Sequence, residues 1–63
     1  MRVSIIGYAG FLGRVLTRHL LAHGNEVYGF GPHKAEDIPV PFVRYDAVTD
    51  IPEFPHGTDA VFY

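Results

Sequence analysis

The stretch IIGYAGFLGRVL, residues 5–16, decides the fold, because three glycines stand three residues apart in it between two different hydrophobic patterns. Before the glycines, RVSII at residues 2–6 is a short β-branched run, typical of a strand buried on both faces. After them, apolar residues recur at steps of three and four, which predicts an amphipathic helix over residues 11–23. The glycines therefore form a strand-to-helix turn.

The rest of the chain extends this unit into a small parallel sheet. Gly24 follows the last helical turn and is suited to a left-handed C-cap, and EVYGF at residues 26–30 predicts a second strand. The unit is then a βαβ motif with a right-handed crossover. FVRY at 42–45 and AVFY at 60–63 predict two further strands. Residues 31–41 between the second and third strands hold three prolines and predict a loop with one turn at KAED.

These elements predict an α/β fold, a single Rossmann-type domain over residues 1–63. The partial, Rossmann-like parallel sheet has the order 3-2-1-4 and one main helix. The helix covers one face of the sheet, so the other face is expected to be an apolar surface of the kind that forms interfaces. We therefore expect a homo-oligomer, or association with a missing C-terminal part of the same protein.

Composition excludes several classes of protein. The 63 residues include no cysteine, so neither disulfides nor thiolate metal sites are available, and a reducing, cytoplasmic setting is expected. The net charge is −2 and the five basic residues are dispersed, which argues against nucleic acid as a partner. Gly7 interrupts the first apolar run before a signal peptide or membrane span is complete, so no membrane association is expected.

The glycine turn has the residue types that binding a pyrophosphate requires. The usual dinucleotide fingerprint has glycine at its first, third and sixth positions, and here the third is Ala9. The G-x-x-G-x-x-G spacing serves the same physics: Gly7 ends the strand, Gly10 leaves room for phosphates, and Gly13 lets the helix approach the sheet. The amides of Phe11 and Leu12 would then face the anion from the helix start. The alternative is a tight turn that holds no ligand.

A family resemblance is carried by three stretches of the chain: MRVSIIGYAGFLGRVLTRHLLAHGNEVYGF, FVRYDAVTD and TDAVFY. Together they resemble the N-terminal part of the NAD(P)-dependent sugar epimerase/dehydratase family, the extended short-chain dehydrogenases/reductases. The resemblance covers nearly the whole chain. It implies that Gly7, Gly10 and Gly13 bind the pyrophosphate with the amides of Phe11 and Leu12. It further implies that Asp46, beside Ala47, hydrogen-bonds the adenine amino group.

The sequence departs from that family at the ribose. The acidic residue usual at the end of the second strand is replaced by Gly31, and the basic residues His33 and Lys34 follow shortly after it. These could face a 2′-phosphate, so NADP is favoured over NAD as the cofactor. Solvated loop side chains are the alternative for both residues.

A second departure concerns catalysis. The family's catalytic Tyr and Lys, spaced Y-x-x-x-K, lie beyond the fourth strand, and no tyrosine here has a lysine four residues on. No catalytic residue is therefore assigned, and the chain is expected to bind a dinucleotide but not to catalyse alone. Two hypotheses follow. Either the chain is a fragment of an oxidoreductase, or it is a stand-alone structural or nucleotide-binding module without enzymatic chemistry.

The remaining candidate groups have simpler explanations. His19 and His23 are four apart on the helix, a spacing that suits a metal ion, but no third ligand is evident and solvated histidines are expected. Tyr8 and Phe11 flank the turn, where they could line a nucleotide pocket or close the core.

Overall fold

A four-stranded parallel sheet with one helix forms the architecture of the computed structural model, which describes residues 1–46, 48–50 and 53–62. The strands are β1 (Arg2–Ile6), β2 (Glu26–Gly31), β3 (Phe42–Arg44) and β4 (Ala60–Phe62), and the helix is α1 (Phe11–Ala22). Their order in the sheet is β3-β2-β1-β4, and every neighbouring pair is parallel. The fold class, the strand order and the single helix predicted from the sequence are confirmed.

Element boundaries differ from the sequence-based ones by one residue. The helix ends at Ala22, and Gly24 follows with φ +79, its N–H donating to the carbonyl of Leu21 at 3.1 Å. This is the left-handed termination predicted for Gly24. Strand β2 extends through Gly31, because the carbonyl of Gly31 accepts the N–H of Tyr45 at 2.8 Å. The pairing of β2 with β3 therefore continues to the position where the family resemblance places a ribose contact.

The hydrophobic core lies between α1 and one face of the sheet. Strand residues alternate between the two faces, and the buried side chains of Val3, Ile5 and Val27 form a cluster with half-buried helix leucines such as Leu16 and Leu20. Thr17 is also fully buried, and its hydroxyl donates to the carbonyl of Gly13 at 2.7 Å. The 3.6-residue period of the helix thus places its apolar face on β1 and β2.

The second face of the sheet, which the sequence analysis expected to be a bare apolar surface, is covered in part. Phe30 on β2 is completely buried, with its ring 5.4 Å from that of Phe54 and 6.5 Å from that of Tyr45. Ser4 on β1 is completely buried as well. The expectation is wrong at Phe30, because aromatic side chains after β3 fold back over it, which no local pattern indicates. Val43 and Val61, which pair in register with Phe30 and Ser4, are each 38% exposed.

The largest exposed apolar side chains of the helix lie at its start. Phe11 is 82% exposed, Leu12 77% and Val15 56%. None of the helices in the described ranges is long and apolar enough to cross a lipid bilayer.

Candidate functional site

The glycine turn joins β1 to α1 through a backbone conformation that depends on glycine. Gly7 has φ +84, a region that residues with a side chain rarely adopt. Its N–H donates to the carbonyl of Phe30 at 2.8 Å, and its carbonyl accepts the N–H of Gly10 at 3.0 Å. The chain therefore changes direction beside Phe30, near the carboxyl end of β2.

Gly13 is required for close packing of the helix on this turn. A Cβ at Gly13 would lie 2.3 Å from the carbonyl oxygen of Gly7 and 2.7 Å from the Cα of Tyr8. Both of those atoms belong to the backbone, so neither can rotate away. Gly13 therefore allows the helix to pack closely on the turn that follows β1.

Gly10 differs from the other two glycines of the turn, because the fold itself does not require it. Its φ of −73 and ψ of 171 suit any residue, and an added Cβ would meet the carbonyl oxygen of Gly7 at an ordinary contact of 3.4 Å. Gly10 is exposed. The lack of a side chain here leaves the outer side of the turn open.

The start of α1 offers unpaired backbone donors beside that opening. Gly10 is the N-cap, it provides no side-chain hydrogen bond, and the first turn contains no acidic residue. The first helical hydrogen bond runs from the N–H of Arg14 to the carbonyl of Gly10 at 2.9 Å. In the part of the chain that the structure describes, the amides of Phe11, Leu12 and Gly13 have no acceptor. Such amides and the helix dipole favour a negative charge.

Two adjoining clefts run over the carboxyl ends of the strands. The first has a volume of about 420 Å³ and is lined by the glycine turn and the residues around it: Ile5, Ile6, Gly7, Gly10, Phe11, Leu12, Gly13 and Leu16. The second measures about 270 Å³ and is lined by Ile6, Gly7, Gly31, Pro32, Tyr45 and Asp46. Because they share Ile6 and Gly7, we treat them as one surface, the strand-end groove.

The position of the strand-end groove is the one at which open α/β sheets bind ligands. Strand β1 is followed along the chain by β2 on one side, while β4 pairs on its other side, so the strand order reverses at β1. Crevices at such reversal points, outside the carboxyl ends of the strands, are the usual ligand sites of these folds. The structure therefore brings Gly7, Gly10, Gly13, Gly31 and Asp46 to one groove.

Asp46 lines this groove, but part of its carboxylate is engaged locally. Its Oδ1 accepts the N–H of Val48 at 2.9 Å, and its own N–H donates to Oδ2 of Asp50 at 2.7 Å. These bonds hold a turn after β3, so Asp46 has a structural role that the sequence did not indicate. Ala47, expected beside it, lies outside the described residues.

His33 and Lys34 are exposed and lie next to the groove, not among its lining residues. They follow Pro32, which does line it. Further along the same loop, Asp37 accepts hydrogen bonds from Arg14 and, at 2.9 Å, from Arg18. The bond from Arg14, with a backbone hydrogen bond, holds the pKa of Asp37 below its ordinary value.

The helix histidines form no metal site with other groups in the described ranges. The rings of His19 and His23 lie 4.3 Å apart, and Nδ1 of His23 is 2.9 Å from the carbonyl oxygen of His19. No group of three metal-binding side chains occurs among the residues that the structure describes.

The packing of the Tyr8 ring on Gly29 was not predicted from the sequence. Tyr8 is completely buried and closes the core, whereas Phe11 is exposed and lines the groove. A Cβ at Gly29 would lie 2.6 Å from the ring of Tyr8, so only glycine leaves space for this ring on β2. The signal was a glycine in the middle of a strand, which often marks a close approach.

No family model matches the chain, and no solved structure matches it. Uncharacterized proteins of Mycobacterium bovis and of two strains of Mycobacterium tuberculosis are 44% identical to it over 39 residues. That segment is 62% of this chain, and the match spans about 5% of the length of those relatives.

Proposed function

We propose that the chain is the dinucleotide-binding part of an NAD(P)-dependent oxidoreductase that resembles the nucleotide-sugar epimerases and dehydratases. The observation that carries the proposal is Gly10. Gly7 is explained by its positive φ and Gly13 by its contact with the turn, but among the residues that the structure describes nothing requires a glycine at position 10. A ligand that approaches the backbone there does require one.

The proposed ligand group at this point is the pyrophosphate. The amides of Phe11 and Leu12 are free of acceptors in the described part of the chain and lie at the positive end of the α1 dipole. No acidic side chain of the first turn competes for them. Backbone donors of this kind bind phosphate oxygens without a basic residue.

The adenosine half would lie in the second part of the strand-end groove, at Gly31 and Asp46. Gly31 is buried and stands where the family has an acidic residue, so it offers no carboxylate of its own to the ribose hydroxyls. NADP is the preferred cofactor on this argument, with His33 and Lys34 near its 2′-phosphate. Asp46, with its second carboxylate oxygen, would contact the adenine.

Catalysis is assigned to residues outside this chain. The chain contains no Y-x-x-x-K motif, and the uncharacterized relatives carry the matching segment within a far longer polypeptide. Exposed Phe11, Leu12 and Val15 would pack against the remainder of such a protein or against a second copy. A reducing, cytoplasmic location fits the lack of cysteine.

Isothermal titration with NADP and with NAD tests the proposal, using Gly10→Val to fill the opening. The backbone angles at Gly10 suit a valine and a Cβ would lie 3.4 Å from the carbonyl oxygen of Gly7, so we expect this variant to fold while its side chain blocks the phosphate position. Ala22→Val adds a comparable bulk at the other end of the same helix and is the matched control. We expect binding that Gly10→Val abolishes and Ala22→Val preserves. Absence of binding by the unaltered chain would contradict the proposal and favour a structural module.

A further inference from the structure

The segment between β2 and β3, residues 32–41, is irregular in conformation but firmly attached to the fold. Ala35, Ile38 and Val40 are buried in the hydrophobic core, and the N–H of Ile38 donates to the carbonyl of Ala35 at 3.2 Å. We call residues 32–41 the β2–β3 segment. Its first residue, Pro32, lines the strand-end groove.

Tyr8 connects the glycine turn to this segment through one buried hydrogen bond. It follows Gly7 in the turn, and its hydroxyl accepts the N–H of Ala35 at 2.8 Å. The ring is seated on Gly29 and lies 5.9 Å from the ring of Phe42, so β2 and β3 fix its direction. The amide of Ala35 is buried, so it would have no water to replace the tyrosine hydroxyl.

Arg14 makes a second connection between the same two parts of the chain. Its Nε donates to the carbonyl of Ala9 in the turn at 2.9 Å, and its Nη1 donates to the carboxylate of Asp37 in the β2–β3 segment. Asp37 also accepts a bond from Arg18 at 2.9 Å. The Arg14–Asp37 part of this connection is exposed, so we expect it to contribute less than the buried bond of Tyr8.

Each of the two connections joins the glycine turn, on one side of the strand-end groove, to the β2–β3 segment on the other side. The turn carries the amides proposed to face the phosphates, and Pro32, the first residue of the β2–β3 segment, lines the adenosine side. Residues 32–34 are held at one end by β2, where Gly31 accepts the N–H of Tyr45, and at the other end by the bond from Ala35 to Tyr8. A short segment fixed at both ends has few conformations left to lose when a ligand binds.

We propose that Tyr8 is a positioning residue for the dinucleotide: its hydroxyl holds the β2–β3 segment at a fixed distance from the glycine turn. The pyrophosphate and the adenosine half of the dinucleotide then bind to parts of the groove that already have their ligand-bound positions. This inference rests on the proposed dinucleotide site. Tyr8 makes no direct contact with the ligand, because its side chain is completely buried.

Tyr8→Phe tests this role, because it removes the hydroxyl and keeps the ring on Gly29. Tyr28→Phe is the matched control, since Tyr28 lies on β2 with its ring near the guanidinium of Arg2, on the other face of the sheet. Asp37→Asn, at an exposed position, weakens the second connection without disturbing the core. Each protein is measured by amide hydrogen exchange at Ala35 and by titration with NADP and NAD.

In the Tyr8→Phe protein we expect the amide hydrogen of Ala35 to exchange about tenfold faster, as loss of one buried hydrogen bond predicts. For the same reason we expect its affinity for the preferred dinucleotide to fall about three- to tenfold. Asp37→Asn should weaken binding less, and Tyr28→Phe should change neither quantity. Unchanged exchange at Ala35 would show that the hydrogen bond does not hold the segment. Faster exchange with unchanged affinity would show that the segment need not be held. If the unaltered chain binds no dinucleotide, the site itself is refuted, and this role of Tyr8 with it.

Discussion

Gly13→Ala measures how closely α1 is seated on the glycine turn. The added methyl carbon would lie 2.3 Å from the carbonyl oxygen of Gly7 and 2.8 Å from the carbonyl carbon of Tyr8. An ordinary contact is about 3.5 Å, so the helix or the turn must move by roughly 1 Å. The turn cannot move freely, because the N–H of Gly7 is bonded to Phe30 on β2.

Two opposing terms set the size of the effect. Alanine is the better helix former by about 1 kcal/mol, which would stabilise the variant if nothing else changed. Overpacking against rigid neighbours costs about 1–3 kcal/mol, and the upper end applies where the neighbours are backbone atoms. We therefore expect a net loss of about 2 kcal/mol. A domain of this size has a margin of only about 3–5 kcal/mol, so the loss is large.

Thermal unfolding followed by circular dichroism gives the result directly. A loss of about 2 kcal/mol lowers the Tm of a 60-residue domain by roughly 10–15 °C. Gly31→Ala is the control, because a Cβ there would meet nothing within 4 Å, and its Tm should change by only a few degrees. A Gly13→Ala protein as stable as the unaltered chain would refute the close seating of the helix.

Two further predictions concern the loops. Phe54→Ala should lower the free energy of unfolding by about 1–2 kcal/mol. This loss is smaller than for a fully buried ring, because Phe54 is 36% exposed while it covers Phe30. An unchanged denaturation midpoint would mean that Phe54 does not cover this face of the sheet. The pKa of Asp37 is held below its ordinary value of 3.8, chiefly by the bond from Arg14. The ionised carboxylate therefore stabilises the fold at pH values above 3.8, and this stabilisation is lost as the pH falls through the lowered pKa. The stability difference between the unaltered chain and Asp37→Asn should then be constant near neutral pH and shrink in acid, and a difference that grows in acid would contradict the ion pair.

Local patterns in the sequence were sufficient for most of the fold. The β-branched run before Gly7 predicts the first strand, and the helical period over residues 11–23 predicts the helix. The glycine at position 24 predicts where that helix ends. Covering of the second face was not predictable in this way. Phe54 is separated from Phe30 by more than 20 residues of sequence, and their contact depends on the path of the chain after β3.

The candidate site was predictable in part. The spacing of Gly7, Gly10 and Gly13 predicts a turn able to receive phosphates and a separate role for each glycine. The physical reasons for those glycines come from the structure, which gives the φ of Gly7 and the space around the other two.

By itself, the sequence determined the order and type of the elements, because hydrophobic period and glycine placement act over neighbouring residues. Only the tertiary structure decided what those elements place together: the ring of Tyr8 on Gly29, its hydroxyl on the amide of Ala35, and Gly31 and Asp46 at one edge of the sheet. These contacts join positions far apart along the chain. They depend on strand order and register, which are properties of the whole sheet and of no single segment.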